Sequence, residues 1–102
     1  MTTNLNYEGF EEYLLFKNEE NIGEYYERVH YVFRFKNDYG ASVVKGRGTY
    51  GYNEDLWELA VLSFDNRSDE YYLDYDTPIT NDVLGHLTDD EVGDLLARIK
   101  EL

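Results

Sequence analysis

The residues with most to offer chemically are carboxylates. Asp and Glu number 22 against nine Lys and Arg, a formal net charge of -13 over 102 residues. Paired carboxylates can share a proton for acid–base work or hold a divalent cation, but with so many present no single pair is marked out. The calcium-loop pattern fails between Asp65 and Asp76, where the sixth position lacks glycine and the twelfth lacks glutamate. His30 and His86 are the only histidines. One falls in a basic strand and the other near a helix start, so neither has a recognisable catalytic partner. Ser42, Ser63 and Ser68 lie in no nucleophile-elbow motif, and no glycine-rich phosphate loop with a following lysine occurs. Gly46-Arg47-Gly48 reads as strand and turn punctuation. Cysteine is absent, which removes thiolate nucleophiles, disulfides and thiolate metal sites. The expectation is a protein that is not an enzyme and carries no cofactor and no metal.

What remains for the carboxylates is recognition. Residues 8 to 27 hold seven acids (Glu8, Glu11, Glu12, Glu19, Glu20, Glu24, Glu27) against Lys17. Residues 65 to 94 hold ten (Asp65, Asp69, Glu70, Asp74, Asp76, Asp82, Asp89, Asp90, Glu91, Asp94) against Arg67. Between them, Arg28 to Arg47 carries five bases and one acid, Asp38. Two interpretations compete. In one, the acids form a solvated surface that keeps the domain soluble. In the other, they imitate a nucleic-acid backbone. Same-face strand residues recur about every 6.6 to 6.8 Å and i, i+4 helix residues lie about 5 to 6 Å apart, the scale of phosphate spacing. Such a surface suits a Lys- and Arg-lined channel, and interleaved tyrosines at 13, 25, 26, 71, 72 and 75 add contact area. The candidate partner-binding residues are therefore Glu19, Glu20 and Glu24 in the first tract and Asp65, Asp69, Glu70, Asp74 and Asp76 in the second. The expected partner is a basic protein surface. The net charge disfavours direct nucleic-acid binding.

The elements that must position these groups follow from periodicity. Val29 to Lys36 alternates, with Tyr31, Phe33 and Phe35 on one face and His30, Arg34 and Lys36 on the other. Asn37-Asp38-Tyr39-Gly40 supplies a turn in which Gly40 is free to take positive φ, and Ala41 to Arg47 returns, making a hairpin over 29–47. After a glycine-rich link (Gly46, Gly48, Gly51), Leu56 to Leu62 is apolar at nearly every position. That suits a central strand covered on both faces, or a short buried helix. Asp65 to Ser68 is a turn and Tyr71 to Tyr75 a short strand near an edge, where its acids deter edge-to-edge pairing.

Thr88-Asp89-Asp90-Glu91 is a capping box. Val92, Leu95, Leu96 and Ile99 follow at i, i+3, i+4 and i+7, the stripe of a helix lying on the sheet. Upstream, Thr80 to Leu87 reads as a short helical turn with Val83, Leu84 and Leu87 inward. At the N-terminus, Phe10, Tyr13, Leu14 and Leu15 share a helix face, whereas Gly23 and Tyr25-Tyr26 also suit a strand. The fold class expected is α+β: an antiparallel sheet of about four strands with the C-terminal helix packed on one face. Residues 1–102 make a single domain, since one core serves roughly 100 to 200 residues. No basic leader with an apolar run and no stretch near the roughly 20 apolar residues of a membrane span is present, so the expectation is a cytoplasmic protein with no membrane contact.

Three blocks carry a resemblance: Tyr39-Gly40-Ala41-Ser42-Val43-Val44, Leu56-Trp57-Glu58-Leu59-Ala60-Val61, and Tyr75-Asp76-Thr77-Pro78-Ile79-Thr80-Asn81-Asp82-Val83-Leu84-Gly85. With Leu87-Thr88-Asp89-Asp90-Glu91-Val92, they make residues 29 to 102 resemble a group of small acidic proteins from phages, prophages and mobile elements of Firmicutes. The resemblance implies origin in such an element and action in the bacterial host cell. Small acidic proteins of that origin are often inhibitors of bacterial defence, anti-CRISPR proteins among them. It therefore implies a Cas9-type nuclease, with or without guide RNA, as a partner whose charged channel an acidic mimic would fill. The alternative is an acidic structural or interaction module with no mimicry. The resemblance assigns no role to any residue, and it leaves the oligomeric state open.

Overall fold

A computed structural model describes residues 5–21, 27–46 and 56–102. After a 3₁₀ turn at Glu11–Tyr13 come strands β1 (Leu14–Asn21), β2 (Glu27–Arg34), β3 (Tyr39–Gly46), β4 (Trp57–Phe64), β5 (Tyr71–Leu73) and β6 (Leu84–Leu87), then helix α1 (Asp89–Lys100). All pairings are antiparallel, in the order β1-β2-β3-β4-β5, with β6 also pairing β4. The α+β architecture and the C-terminal helix on one face are as the sequence predicts. The sheet has six strands rather than about four, the additions being β1 and β6.

The period of two in β2 places Val29, Tyr31 and Phe33 under the helix, Phe35 joins them just past the strand's end, and cross-strand register carries that face through Ala41 and Val43 to Trp57, Leu59 and Val61. Val92, Leu95, Leu96 and Ile99 of α1 close the core from above, all of them buried. Such burial supplies the main favourable free energy, about 1.5–3 kcal/mol per large side chain. Tyr7, Phe10, Tyr13 and Leu14 pack against its rim. The register shift between Leu14 and Phe16 lets Leu14 join that core while Leu15 and Phe16 pack with Val32, Leu62 and Phe64 on the opposite face.

The helix is fastened at both ends. At its start, the Thr88 hydroxyl accepts from the Glu91 amide (3.2 Å) and the Glu91 carboxylate from the Thr88 amide (3.1 Å), which is the expected box. Asp89 then accepts from the Trp57 indole at 2.6 Å and from the Asn6 amide at 3.3 Å, tying the helix to β4 and to the N-terminal segment. At its end, the Asn37 amide nitrogen lies 3.0 to 3.1 Å from the carbonyl oxygens of Ile99, Lys100 and Leu102. Its side-chain oxygen accepts from the Tyr39 amide, so one residue serves both the β2–β3 turn and the orphan carbonyls of the helix.

Three expectations are corrected. In the β2–β3 turn the positive φ (66°) belongs to Asp38, not Gly40, because a short polar side chain tolerates that region. Gly40 is required for another reason: a Cβ there would overlap the Phe33 carbonyl oxygen and approach the Phe64 ring to 2.7 Å. Residues 84–87 form a strand and not a helical turn. β5 covers β4 only at residues 62–64, so the groups near Trp57 and Leu59 need partners, which β6 supplies with His86 at φ 58°. Of the two N-terminal alternatives, Leu14 onward is strand. Gly23, Tyr25 and Tyr26, like Gly48 and Gly51, lie outside the described residues.

Two substitutions test this scheme in opposite directions. Gly93 lies mid-helix, and a Cβ added there would meet nothing within 4 Å, so Gly93→Ala should raise stability by about 1 kcal/mol. Asn37→Ala should lower it by about 1–3 kcal/mol through the orphaned carbonyls, both read from urea midpoints at constant m-value.

Candidate functional site

β5 is an edge strand, and it carries exposed apolar side chains. Tyr71, Tyr72, Leu73 and Tyr75 are 39, 64, 49 and 39 % exposed, the large hydrophobics left open among the described residues. They are interleaved with Asp69, Glu70, Asp74 and Asp76. Tyr71 leans on Phe64 across the ladder, ring centroids 5.3 Å apart.

The loop leading into β5 is built from short polar residues bonding their own backbone. The Asp65 carboxylate accepts from the Arg67 amide, the Ser68 hydroxyl from the Glu70 amide, and the Asp65 amide donates to the Glu70 carbonyl. Over it reaches Arg34 of β2. Its guanidinium donates to the carbonyls of Ser68 and Asp65 and to the carboxylates of Asp69 and Asp38, and it lies 4.8 Å from the Phe64 ring centroid. The hydrogen bond to Asp38, then that to Asp69, raises the Arg34 pKa above its usual value. Exposed ion pairs of this kind contribute little singly, but a planar fork engaging several acceptors over an aromatic face fixes geometry as well.

The eight sequence-predicted residues separate clearly. Asp65 and Asp69 are exposed but partly committed, Asp65 to its own turn and Asp69 to Arg34. Asp74 is committed on both oxygens, accepting from the Ser63 hydroxyl at 2.5 Å and from the Asp76 amide at 2.9 Å. Glu70 and Asp76 are exposed, and neither carboxylate has a partner among the described residues. Glu19 is exposed on β1 and paired with Lys17 at 2.9 Å, a hydrogen bond that raises the Lys17 pKa. Glu20 lies in β1 opposite Arg28. Glu24 falls outside the described residues. β1 and β5 are opposite edges of the sheet, four strand spacings or roughly 19 Å apart, so Glu19 and the acids around β5 do not share an edge; the tracts meet instead at the start of α1, where Glu8 lines a cleft with Asp89, Asp90 and Asp94.

The hairpin between them is also less basic than its composition. Arg34 is drawn into the acidic loop, and Lys45 is buried with its ammonium 4.2 Å above the Trp57 ring. Sequence reasoning missed both, since only register shows that Lys45 shares the helix-side face with Val29.

The structure also brings His30 Nε2 within 2.6 Å of Ser42 Oγ, a contact the sequence did not suggest. Ser42 sits in β3 between β2 and β4, where backbone N–H groups are used by the ladders, so no donor pair is left to stabilise an oxyanion. The pair is a cross-strand hydrogen bond. No group of three or more His, Asp or Glu side chains among the described residues is placed to hold a metal ion. Among the same residues no helix is long and apolar enough to cross a membrane.

No family model, curated protein or solved structure matches this chain.

Arg34→Lys keeps the charge but replaces a planar fork by a single ammonium. It should cost about 1–3 kcal/mol in denaturant unfolding and speed amide exchange at Tyr72 and Asp74 by more than at β2 and β3. Unchanged exchange there would show that the loop holds itself.

Proposed function

We propose that this protein is a non-enzymatic inhibitor encoded by a phage or mobile element. It docks an acidic, aromatic sheet edge on a basic surface of a nucleic-acid-handling bacterial defence protein, with a Cas9-type nuclease as the foremost partner. The observation that carries this is the exposed run at β5, where Tyr71, Tyr72, Leu73 and Tyr75 are flanked by the carboxylates of Asp69, Glu70, Asp74 and Asp76. Exposed aromatics gathered on one edge are the composition of an interface core, and carboxylates around them select a positively charged partner. The net charge of -13 adds long-range attraction to such a surface and repulsion from nucleic acid. A channel lined by Lys and Arg to hold a heteroduplex offers the complementary field. The identification of the partner rests on the sequence resemblance, and the docking edge rests on the fold.

A second interpretation, an acidic interaction module without mimicry, draws on the internal commitments of Asp65, Asp69 and Asp74. Glu70 and Asp76 discriminate between the two because they hold no structural bond. Under mimicry, Glu70→Lys with Asp76→Lys should leave the unfolding midpoint nearly unchanged and weaken binding to the nuclease by about tenfold or more, measured at low salt with and without guide RNA. Wild-type affinity should fall steeply with ionic strength, and DNA cleavage should be inhibited in parallel. Absence of both binding and inhibition by the wild-type protein at low salt would contradict the proposal.

A further inference from the structure

The β4–β5 ladder carries information that side-chain exposure alone does not. The Asp65 amide donates to the Glu70 carbonyl and the Asp74 amide to the Val61 carbonyl at 2.9 Å each, while Ser63 faces Tyr72 between them. Antiparallel ladders alternate hydrogen-bonded and non-hydrogen-bonded pairs. Glu70, Tyr72 and Asp74 therefore turn their backbone groups inward to β4. Tyr71 and Leu73 turn theirs outward, and those groups have no partner among the described residues. Side chains alternate too: Glu70, Tyr72 and Asp74 share one face, where Asp74 meets Ser63, and Tyr71 and Leu73 share the other, where Tyr71 meets Phe64.

From this we infer that β5 accepts an extended basic segment of the partner as an additional antiparallel strand, one whose Lys or Arg residues alternate with apolar ones. The inference rests on the acidic-edge function above and specifies its mode of recognition. Main-chain bonds from Tyr71 and Leu73 supply attachment, and the two faces of β5 supply specificity. Basic side chains on alternate positions stand beside Glu70 and Asp74 and over the Tyr72 ring, and the intervening apolar ones meet Tyr71 and Leu73. A second copy of this chain is a poor occupant. Two-fold pairing about Tyr72 would set Glu70 directly opposite Asp74 twice, like charge against like charge. The same carboxylates that repel self-association select a cationic strand.

The test uses the intact protein and a decapeptide alternating lysine and valine, beside the same decapeptide N-methylated on alternate residues facing the edge. Amide exchange and chemical shifts followed by NMR at low salt read both site and mode. Slowed exchange at Tyr71 and Leu73, with the N-methylated peptide binding at least about tenfold more weakly, is expected. Equal binding of the two peptides, binding without protection of those two amides, or no binding would each overturn strand addition. On the protein side, Leu73→Pro removes an outward donor and no ladder bond to β4, so the fold should persist and peptide binding should fall by a similar factor. Nuclease inhibition that survives in folded Leu73→Pro, with Tyr71 and Leu73 unprotected in wild type, would overturn strand addition and leave the acidic-edge function standing. Peptide docking as described with no nuclease inhibition would do the reverse.

Discussion

The guanidinium of Arg34 holds the β5 edge to the rest of the molecule. It reaches from β2 over Phe64 to the loop between β4 and β5, meeting two carbonyls and two carboxylates. β5 is only three residues long and has few ladder bonds of its own. A strand so short gains little from pairing alone, and its order depends on what fixes the loop before it. Arg34 does this from beneath, the Asp65 and Ser68 side chains from within, and the Ser63–Asp74 bond from the far end. The acidic edge is thus built on a base drawn from the hairpin, whose own surface becomes less positive.

The helix side of the sheet is organised by a similar economy of polar groups. Asp89 serves the Trp57 indole and the Asn6 amide together, and Asn37 serves a turn and a helix end. Among the described residues, no buried side-chain nitrogen or oxygen is left without a hydrogen-bond partner. Among the described residues, β5 is where outward backbone groups without a partner and exposed aromatic side chains coincide. Natural sheets usually suppress such an edge, and here the carboxylates around β5 oppose its pairing with a second copy of itself.

Much of this was legible in the residues. The alternation from Val29 to Phe35, the apolar run from Trp57 to Leu62 and the Thr88–Glu91 box each state a local preference that tertiary packing reinforces, so the hairpin, central strand and helix lie where the sequence predicts. The strand at Leu84–Leu87 was not legible. Its pairing is set by where β5 stops along β4, which is a property of the sheet and not of those four residues. The same holds for the site. The second acidic tract announces itself in composition, but which carboxylates remain available does not, because Asp65, Asp69 and Asp74 are engaged by Arg67, Arg34 and Ser63 through turn geometry and long-range contact. Nor could a charge count place the acids of β1 and those around β5 on opposite edges, since that follows from strand order.

The central claim is that recognition occurs at the β5 edge rather than across the acidic surface at large. Hydrogen–deuterium exchange of the protein, free and bound to a Cas9-type nuclease, tests it most directly. Protection concentrated in residues 65–76, with β1 and α1 exchanging as in the free protein, is the expected map. Protection centred on residues 8–21, or spread evenly over the acidic surface with residues 65–76 unaffected, would contradict it.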